Sequence, residues 1–210
     1  HCETLVNEKG FVPSLGDVFR HTVLLHHYKD EQVTWLTSKS AGPLLENNPF
    51  INEVVFYDSP RCRKLLEQEF DEVLCLEKSP VLCELAKSVK ASKHLGFEWK
   101  KNRPYAYPGA QSALDIANGK DSFVPIQAML FQMVGDYWNG ENYILGYQPK
   151  TQVTHDVGLN FRVGSKWPSK SWPMRHWKKL ADFCKDHGWS VTWQKGENSL
   201  HDYMDWIHSS

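Results

Sequence analysis

The residues best suited to chemistry near the start of the chain form the segment Ser14-Leu15-Gly16-Asp17-Val18. This segment follows the first predicted strand and opens a predicted helix, with Arg20 and Thr22 on its first turns. Backbone amides at a helix start favour an anion, and glycine permits close approach to the main chain. Since ligands bind at the carboxyl edge of open α/β sheets, the Asp17 carboxylate there could act as a base. The alternative is a helix N-terminal residue favoured only by the helix dipole.

A second segment, over residues 166–177, reads KWPSKSWPMRHW. Two lysines, Lys166 and Lys170, are separated by tryptophan and precede a helix whose start is fixed by Pro173. Lysine side chains and a helix start together provide positive charge for a diphosphate, so the segment predicts a phosphate-binding site. The alternative is a basic surface loop whose tryptophans pack between domains.

A third candidate is Glu197, which follows a strand predicted over residues 190–194. A carboxylate at the tip of a parallel strand can accept hydrogen bonds from the hydroxyls of a nucleotide ribose. An ordinary charged turn between a strand and a helix explains the same residues. No GxGxxG, GxxxxGK[ST], HExxH or GxSxG motif is present. His26 and His27 are adjacent and point to different faces of a helix, so we predict no metal site.

The elements that position these residues alternate between helix and strand. Apolar spacing and turn residues predict helices over residues 18–28, 41–47, 61–69 and 80–89, and strands over 32–37, 53–57, 72–76 and 93–97. Such alternation with short turns is typical of a parallel sheet flanked by helices, an α/β fold. Residues 98–122 are rich in Pro, Gly, Asn, Lys and Tyr without a clear period, and they predict a long loop facing a cleft.

The alternation restarts in the second part of the chain. A helix is predicted over residues 123–137 and an interdomain linker over 139–154, followed by strands at 157–161 and 190–194 and helices at 173–187 and 200–208. The predicted domains are therefore 1–150 and 151–210. Two strands cannot close a stable sheet alone, so we expect the second domain to be incomplete and the chain to be truncated.

Composition restricts the class of protein. Hydrophobic residues make up 41% and charged residues 23% of 210, as in globular proteins that bury a core. The net charge of -1 argues against nucleic acid as a partner, and no apolar stretch is long enough to span a membrane. Five cysteines without a CxxC pair fit a reducing cytoplasm rather than a disulfide framework.

Several segments together resemble one enzyme family. The stretches SLGDVFRHTVLL, VTWLTS and AGPLLENNPFINEVVFYD resemble the N-terminal half of the ADP-heptose glycosyltransferases, the family 9 enzymes with a GT-B fold. The stretch VGLNFRVGSKWPSKSWPMRHWKKLADFCKDHGWSVTWQKGENS is similar to the opening of their donor-binding domain. The resemblance covers most of the chain. It implies an N-terminal Rossmann-like domain on the acceptor side and the beginning of a second Rossmann-like domain that binds a nucleotide sugar.

The resemblance also implies roles for the candidate residues. Asp17 matches the proposed general base, Lys170 the lysine that neutralises the donor phosphate, and Glu197 lies near the acidic residue that meets the ribose. Lys166 is expected on the donor phosphates as well, whereas Gly16, Arg20 and Thr22 are expected on the acceptor side. The family's later Asp-Ser/Thr-Gly turn and histidine are absent, and TLVNEKGFVPS is less apolar than the family's first strand.

The activity implied is inverting transfer of a heptose or related sugar from an ADP-sugar to a lipopolysaccharide, other lipid-linked, saccharide or protein acceptor. The nucleotide sugar is a substrate, and no other cofactor is implied. The implied location is the cytoplasm, with peripheral contact at the inner face of the cytoplasmic membrane left open. A non-catalytic GT-B-like interaction module and a nucleotide-sugar epimerase are the alternatives.

Overall fold

A computed structural model describes residues 5–7, 10–12, 14–120, 123–163, 168–196 and 199–210, with side chains from Ser14 onward. The chain divides into two compact units, His1–Tyr147 and Gln148–Ser210. The division falls inside the stretch 139–154, which was predicted as a linker. No helix in the described part of the chain is both long and apolar enough to cross a bilayer.

The first unit contains seven of the described strands. They are β1 Leu5–Asn7, β2 Gly10–Val12, β3 Thr34–Thr37, β4 Glu53–Phe56, β5 Glu69–Cys75, β6 Lys90–Lys100 and β7 Arg103–Ala106. β3 pairs with β4 and β5 pairs with β6, both in parallel, whereas β1 with β2 and β6 with β7 are antiparallel. The strand expected before Gly16 is therefore β2, a member of a short hairpin rather than of a parallel pair.

Helices connect and cover these strands. They are α1 Leu15–His21, α2 Gly42–Leu45, α3 Pro60–Lys64, α4 Pro80–Ser88, α5 Gln111–Ala117 and α6 Ile126–Met133. The helix predicted over 18–28 begins earlier, at Leu15, and continues beyond α1 as a 3-10 helix, Thr22–His26. α4 starts where sequence rules place it, because the Ser79 hydroxyl accepts a hydrogen bond from the Leu82 amide at 3.2 Å and Pro80 follows.

The prediction of a loop over residues 98–122 is wrong. β6 continues to Lys100, turns at Lys101 and Asn102, and returns as β7, while α5 fills much of the remainder. Lys101 and Asn102 have φ values of 48° and 59°, as a two-residue hairpin turn requires. The proline content favoured a loop prediction, but Pro104 lies within β7, and proline is tolerated in an edge strand.

The main core of the first unit joins the β5–β6–β7 sheet to the helices. Phe131 from α6, Val23 and Leu24 from the 3-10 segment, and Leu95 and Phe97 from β6 are buried together in it. A smaller cluster of Val55, Cys62 and Leu65 lies between β4 and α3. Each cluster combines neighbouring strands and helices, as a layered α/β fold requires.

The second unit has the strands and helices that its sequence predicts. β8 Val157–Leu159 pairs in parallel with β9 Val191–Trp193, and the helices are α7 Met174–Asp186 and α8 Leu200–Ser209. Its buried apolar residues are Leu159, Ala181, Cys184 and Met204. The mixed α/β architecture with parallel strand pairs confirms the predicted fold class.

Candidate functional site

A cleft of about 60 Å³ lies in the first unit between α1, the end of β5, β6, α5 and α6. Its walls are mostly apolar and come from Leu76, Phe97, Ala113, Ile116, Ala117, Ile126, Met129, Leu130 and Met133. Three polar side chains also line it, those of Asp17, His21 and Lys78. A concave apolar surface with a few polar groups resembles a ligand site in composition, but ligand pockets usually measure about 300–1,000 Å³, so this cleft has room for only a small part of a substrate.

Asp17 is held in the cleft by the first turn of α1. The Ser14 carbonyl accepts hydrogen bonds from the amides of Asp17 at 2.9 Å and Val18 at 3.1 Å, which starts the helix. The Asp17 side chain is only 5% exposed, and its carboxylate forms an ion pair with Arg20, three residues later on the same helix face. Burying a carboxylate is costly unless a cation accompanies it, and Arg20 supplies that charge.

His21 follows Asp17 by one helical turn and faces the same cleft. Burial lowers the pKa of His21 to about 3, and the positive charges of Arg20 and Lys78 lower it further in the same direction. The imidazole is therefore neutral near pH 7. In that state one ring nitrogen can donate a hydrogen bond and the other can accept one.

Lys78 also lines the cleft, from the connection between β5 and α4. Its ammonium lies 4.7 Å from the centroid of the Phe97 ring, a cation–π contact. The connection follows the carboxyl end of a parallel strand, the edge at which ligands bind in open α/β sheets. We did not predict Lys78 from the sequence, although its position just after the strand predicted over 72–76 was a usable signal.

Gly16 and Thr22, both expected on the acceptor side, lie in different environments. Gly16 is exposed at the start of α1, and a methyl group there would meet no described atom within 4 Å. Thr22 is fully buried. Its hydroxyl donates to the Phe19 carbonyl at 2.7 Å and accepts from the Ile144 amide at 3.0 Å. The Thr22 hydroxyl thus joins two segments of the protein.

Lys170, expected on the donor phosphates, ends a short 3-10 helix, Pro168–Lys170, in the second unit and is exposed. Beyond it, the Trp172 ring lies 5.3 Å from His176 and 5.2 Å from Trp177, measured between ring centroids. Lys166 and Glu197, the other two donor-side predictions, lie outside the described residues.

The structure therefore brings Asp17 and Arg20 together and adds His21 and Lys78 to them. A buried carboxylate with a fixed countercharge, open to a mostly apolar cleft, can take a proton from a hydroxyl group bound there. Among the side chains that the structure describes, no three of His, Cys, Asp and Glu come together in a way that could hold a metal ion.

The comparisons with known proteins point to one family. The sequence model described as glycosyltransferase family 9 (heptosyltransferase) matches residues 61–201, more than half of the chain. That range includes Lys78, Phe97 and Lys170, whereas Asp17 and Arg20 precede it. Comparison with curated proteins finds no match.

The solved structures that are similar to the chain include the following two. "E. coli heptosyltransferase WaaC with ADP" shares 14% sequence identity at a TM-score of 0.53, over 91% of this chain and 66% of its own. "The glycosyl transferase family 9 from Veillonella parvula DSM 2008" shares 18% at a TM-score of 0.48, over 85% of this chain and 59% of its own. The chain thus spans less than two thirds of the length of either structure. At this identity, the similarity to the E. coli enzyme supports the fold, that of GT-B glycosyltransferases.

Proposed function

Because the chain belongs to glycosyltransferase family 9, the heptosyltransferase family, we propose that it is part of an enzyme that transfers a sugar from a nucleotide-sugar donor to an acceptor hydroxyl. The proposed donor is ADP-heptose or a related ADP-sugar. The proposed acceptor is a lipopolysaccharide, another lipid-linked saccharide, a free saccharide or a protein. The proposed location is the cytoplasm, where buried free thiols such as those of Cys75 and Cys83 stay reduced.

The reaction proposed is an inverting displacement with Asp17 as general base. The carboxylate accepts the proton of the acceptor hydroxyl while the oxygen attacks the anomeric carbon from the face opposite the nucleotide. The bond from the anomeric carbon to the diphosphate breaks, and the nucleoside diphosphate leaves with both electrons. Positioning the hydroxyl beside Asp17 accelerates the same step, because oriented groups react at high effective concentration.

The donor is assigned to the second unit. Lys170 and Lys166 would neutralise the diphosphate as it leaves, and Glu197 would accept hydrogen bonds from the ribose hydroxyls. The assignment of Lys170 rests on its match to the family's sequence pattern and that of Glu197 on its position near the family's acidic residue. The assignment of Lys166 rests on its charge just before the predicted helix. Lys170 and Lys166 also lie within the range that the family model matches, as does Glu197.

One observation carries the proposal of a base. Asp17 is a buried acidic residue that opens on an apolar cleft, although it could have been solvated at the start of an exposed helix. Even with Arg20 as its partner, a buried carboxylate has a desolvation cost, so its position on a cleft favours a chemical use over a purely structural one. Charged groups at such unfavourable positions are frequent in active sites.

The test is the substitution Asp17→Asn in the full-length protein. The amide keeps the shape of the side chain and cannot accept the proton, so we expect kcat to fall about a hundredfold or more. Release of ADP from ADP-heptose, measured with a range of acceptors, gives the rate, and calorimetry gives the donor affinity, which should not change.

The matched control is Asp30→Asn, which makes the same change at an exposed aspartate after the 3-10 segment. Asp30→Asn should transfer at the wild-type rate. A rate for Asp17→Asn equal to that of the control would remove Asp17 from the role of base.

A further inference from the structure

The charges around Asp17 are unevenly distributed. Arg20 and Lys78 bring two cations to the cleft region, Asp17 brings one anion, and burial keeps His21 neutral near pH 7 by lowering its pKa to about 3. α2 and α6 pack on α1, and their sequences, GPLL and IQAMLFQM, contain no titratable side chain. The 3-10 segment Thr22–His26 also contacts α1, and its one titratable residue is His26. Among the described residues, Arg20, His21 and Lys78 are the charged or titratable groups that the ion pair and the cleft place near Asp17.

Of these three side chains, Arg20 is the one paired with the Asp17 carboxylate. The Lys78 ammonium lies against the Phe97 ring instead. His21 is neutral near pH 7, because burial lowers its pKa to about 3, and so it supplies no positive charge there. The countercharge that a buried carboxylate needs comes from the guanidinium.

The Arg20 side chain stays beside Asp17 although part of it is buried without a hydrogen-bond partner. Its side chain is 38% exposed, yet its Nε atom is buried and has no hydrogen-bond partner among the described residues. A buried donor without a partner costs free energy, which Arg20 would avoid by extending into solvent. The ion pair with Asp17 is the interaction that offsets this cost.

We propose that Arg20 is a positioning residue whose guanidinium fixes the Asp17 carboxylate at the cleft and holds it in the ionised form that accepts a proton. This inference rests on the proposed function, since it concerns the same base. It differs from the expectation that Arg20 contacts the acceptor, because Arg20 here acts through Asp17. Its consequence is that sugar transfer continues at lower pH than an unpaired buried carboxylate would allow.

The experiment titrates Asp17 directly in full-length protein labelled with ¹³C at the aspartate carboxyl, with its resonance assigned by its loss in Asp17→Asn. Removing an adjacent opposite charge shifts a carboxyl titration by about one pH unit or more. In Arg20→Gln the midpoint should therefore rise by about one unit. In Arg20→Lys, which keeps the charge, most of that rise should be absent. Arg63→Gln, at an exposed arginine of α3, should leave the midpoint unchanged.

The pH dependence of kcat/KM provides the second measurement. In Arg20→Gln the acidic limb of the profile should shift to higher pH, by as much as the titration midpoint does. In Arg20→Lys it should lie close to its wild-type pH. A purely structural role for Arg20 would not produce this pattern. An unchanged midpoint in Arg20→Gln, with Asp17→Asn still inactive, would overturn this inference and leave the proposed function intact. Failure of the proposed base would appear differently, as wild-type transfer by Asp17→Asn, and would overturn the inference too.

Discussion

At the scale of single residues, a substitution at Thr22 can show whether this residue stabilises the fold or binds the acceptor. Its hydroxyl is fully buried and bonded to the Phe19 carbonyl and the Ile144 amide. Thr22→Val keeps the shape but leaves the Ile144 amide without its acceptor, so we expect a loss of about 1–3 kcal/mol in the free energy of unfolding. Urea denaturation measures this loss.

The same variant should keep the wild-type KM for the acceptor, because the hydroxyl is fully buried and its proton is already donated to the Phe19 carbonyl. Thr22→Ser keeps both hydrogen bonds and should lose less stability than Thr22→Val. A raised KM at unchanged stability would show the opposite, that Thr22 contacts the acceptor as the sequence pattern implies.

The sequence predicts part of the candidate site. Asp17 and Arg20 could be predicted because one short motif contains both, and helical spacing places residues three apart on one face. The position of Lys78 after a predicted strand was a usable signal, but its proximity to Asp17, like that of Phe97, depends on the pairing of β5 with β6 and the packing of α1. Local patterns do not specify such long-range contacts. The burial that makes His21 neutral also depends on the packed helices.

At the scale of elements, Gly96 fixes the end of the parallel pair β5–β6 next to the cleft. Its φ is +80°, and a Cβ there would collide with the Cys75 carbonyl oxygen and lie 2.8 Å from the carbonyl carbon, both backbone atoms. Gly96→Ala therefore combines left-handed strain of about 1–2 kcal/mol with a clash that requires backbone movement. We expect the free energy of unfolding to fall by more than about 2 kcal/mol, the sum exceeding the strain alone.

Gly119→Ala is the matched control for this prediction. Gly119 has a similar φ of +84°, but an added Cβ meets no described atom within 4 Å. Gly119→Ala should therefore lower the free energy of unfolding only by the backbone strain of about 1–2 kcal/mol. Equal losses in the two variants, measured by urea denaturation, would mean that the contact between β5 and β6 relaxes without cost.

The elements themselves could largely be predicted. Helix and strand periods predicted the strands β3, β4 and β5 and the helices α4, α7 and α8 to within a few residues. The hairpin of β6 and β7 could not be predicted from those periods, since Pro104 and the Lys101-Asn102 turn suggest a loop. An antiparallel pairing is stabilised by its partner strand, which an isolated segment does not show.

At the scale of the whole molecule, each unit has its own buried residues and, under the proposed function, its own substrate. Val23, Phe97 and Phe131 belong to the core of the first unit, and Leu159 and Met204 are buried in the second. The first unit contains the proposed base and the second the proposed phosphate-binding lysines. Substitutions in the two units should therefore change different kinetic parameters.

Lys170→Ala tests this division in the full-length protein. Removing one charge-assisted hydrogen bond to the diphosphate costs about 1.5–3 kcal/mol, so we expect the Kd for ADP-heptose in calorimetry to rise about tenfold or more.

Asp17→Asn should leave that Kd unchanged while lowering kcat. Lys179→Ala, at an exposed lysine of α7, is the control and should match the wild type. UDP-glucose should bind more weakly than ADP-heptose to the wild type. If Lys170→Ala binds ADP-heptose as tightly as Lys179→Ala does, the diphosphate contacts other residues and the donor assignment of Lys170 is wrong.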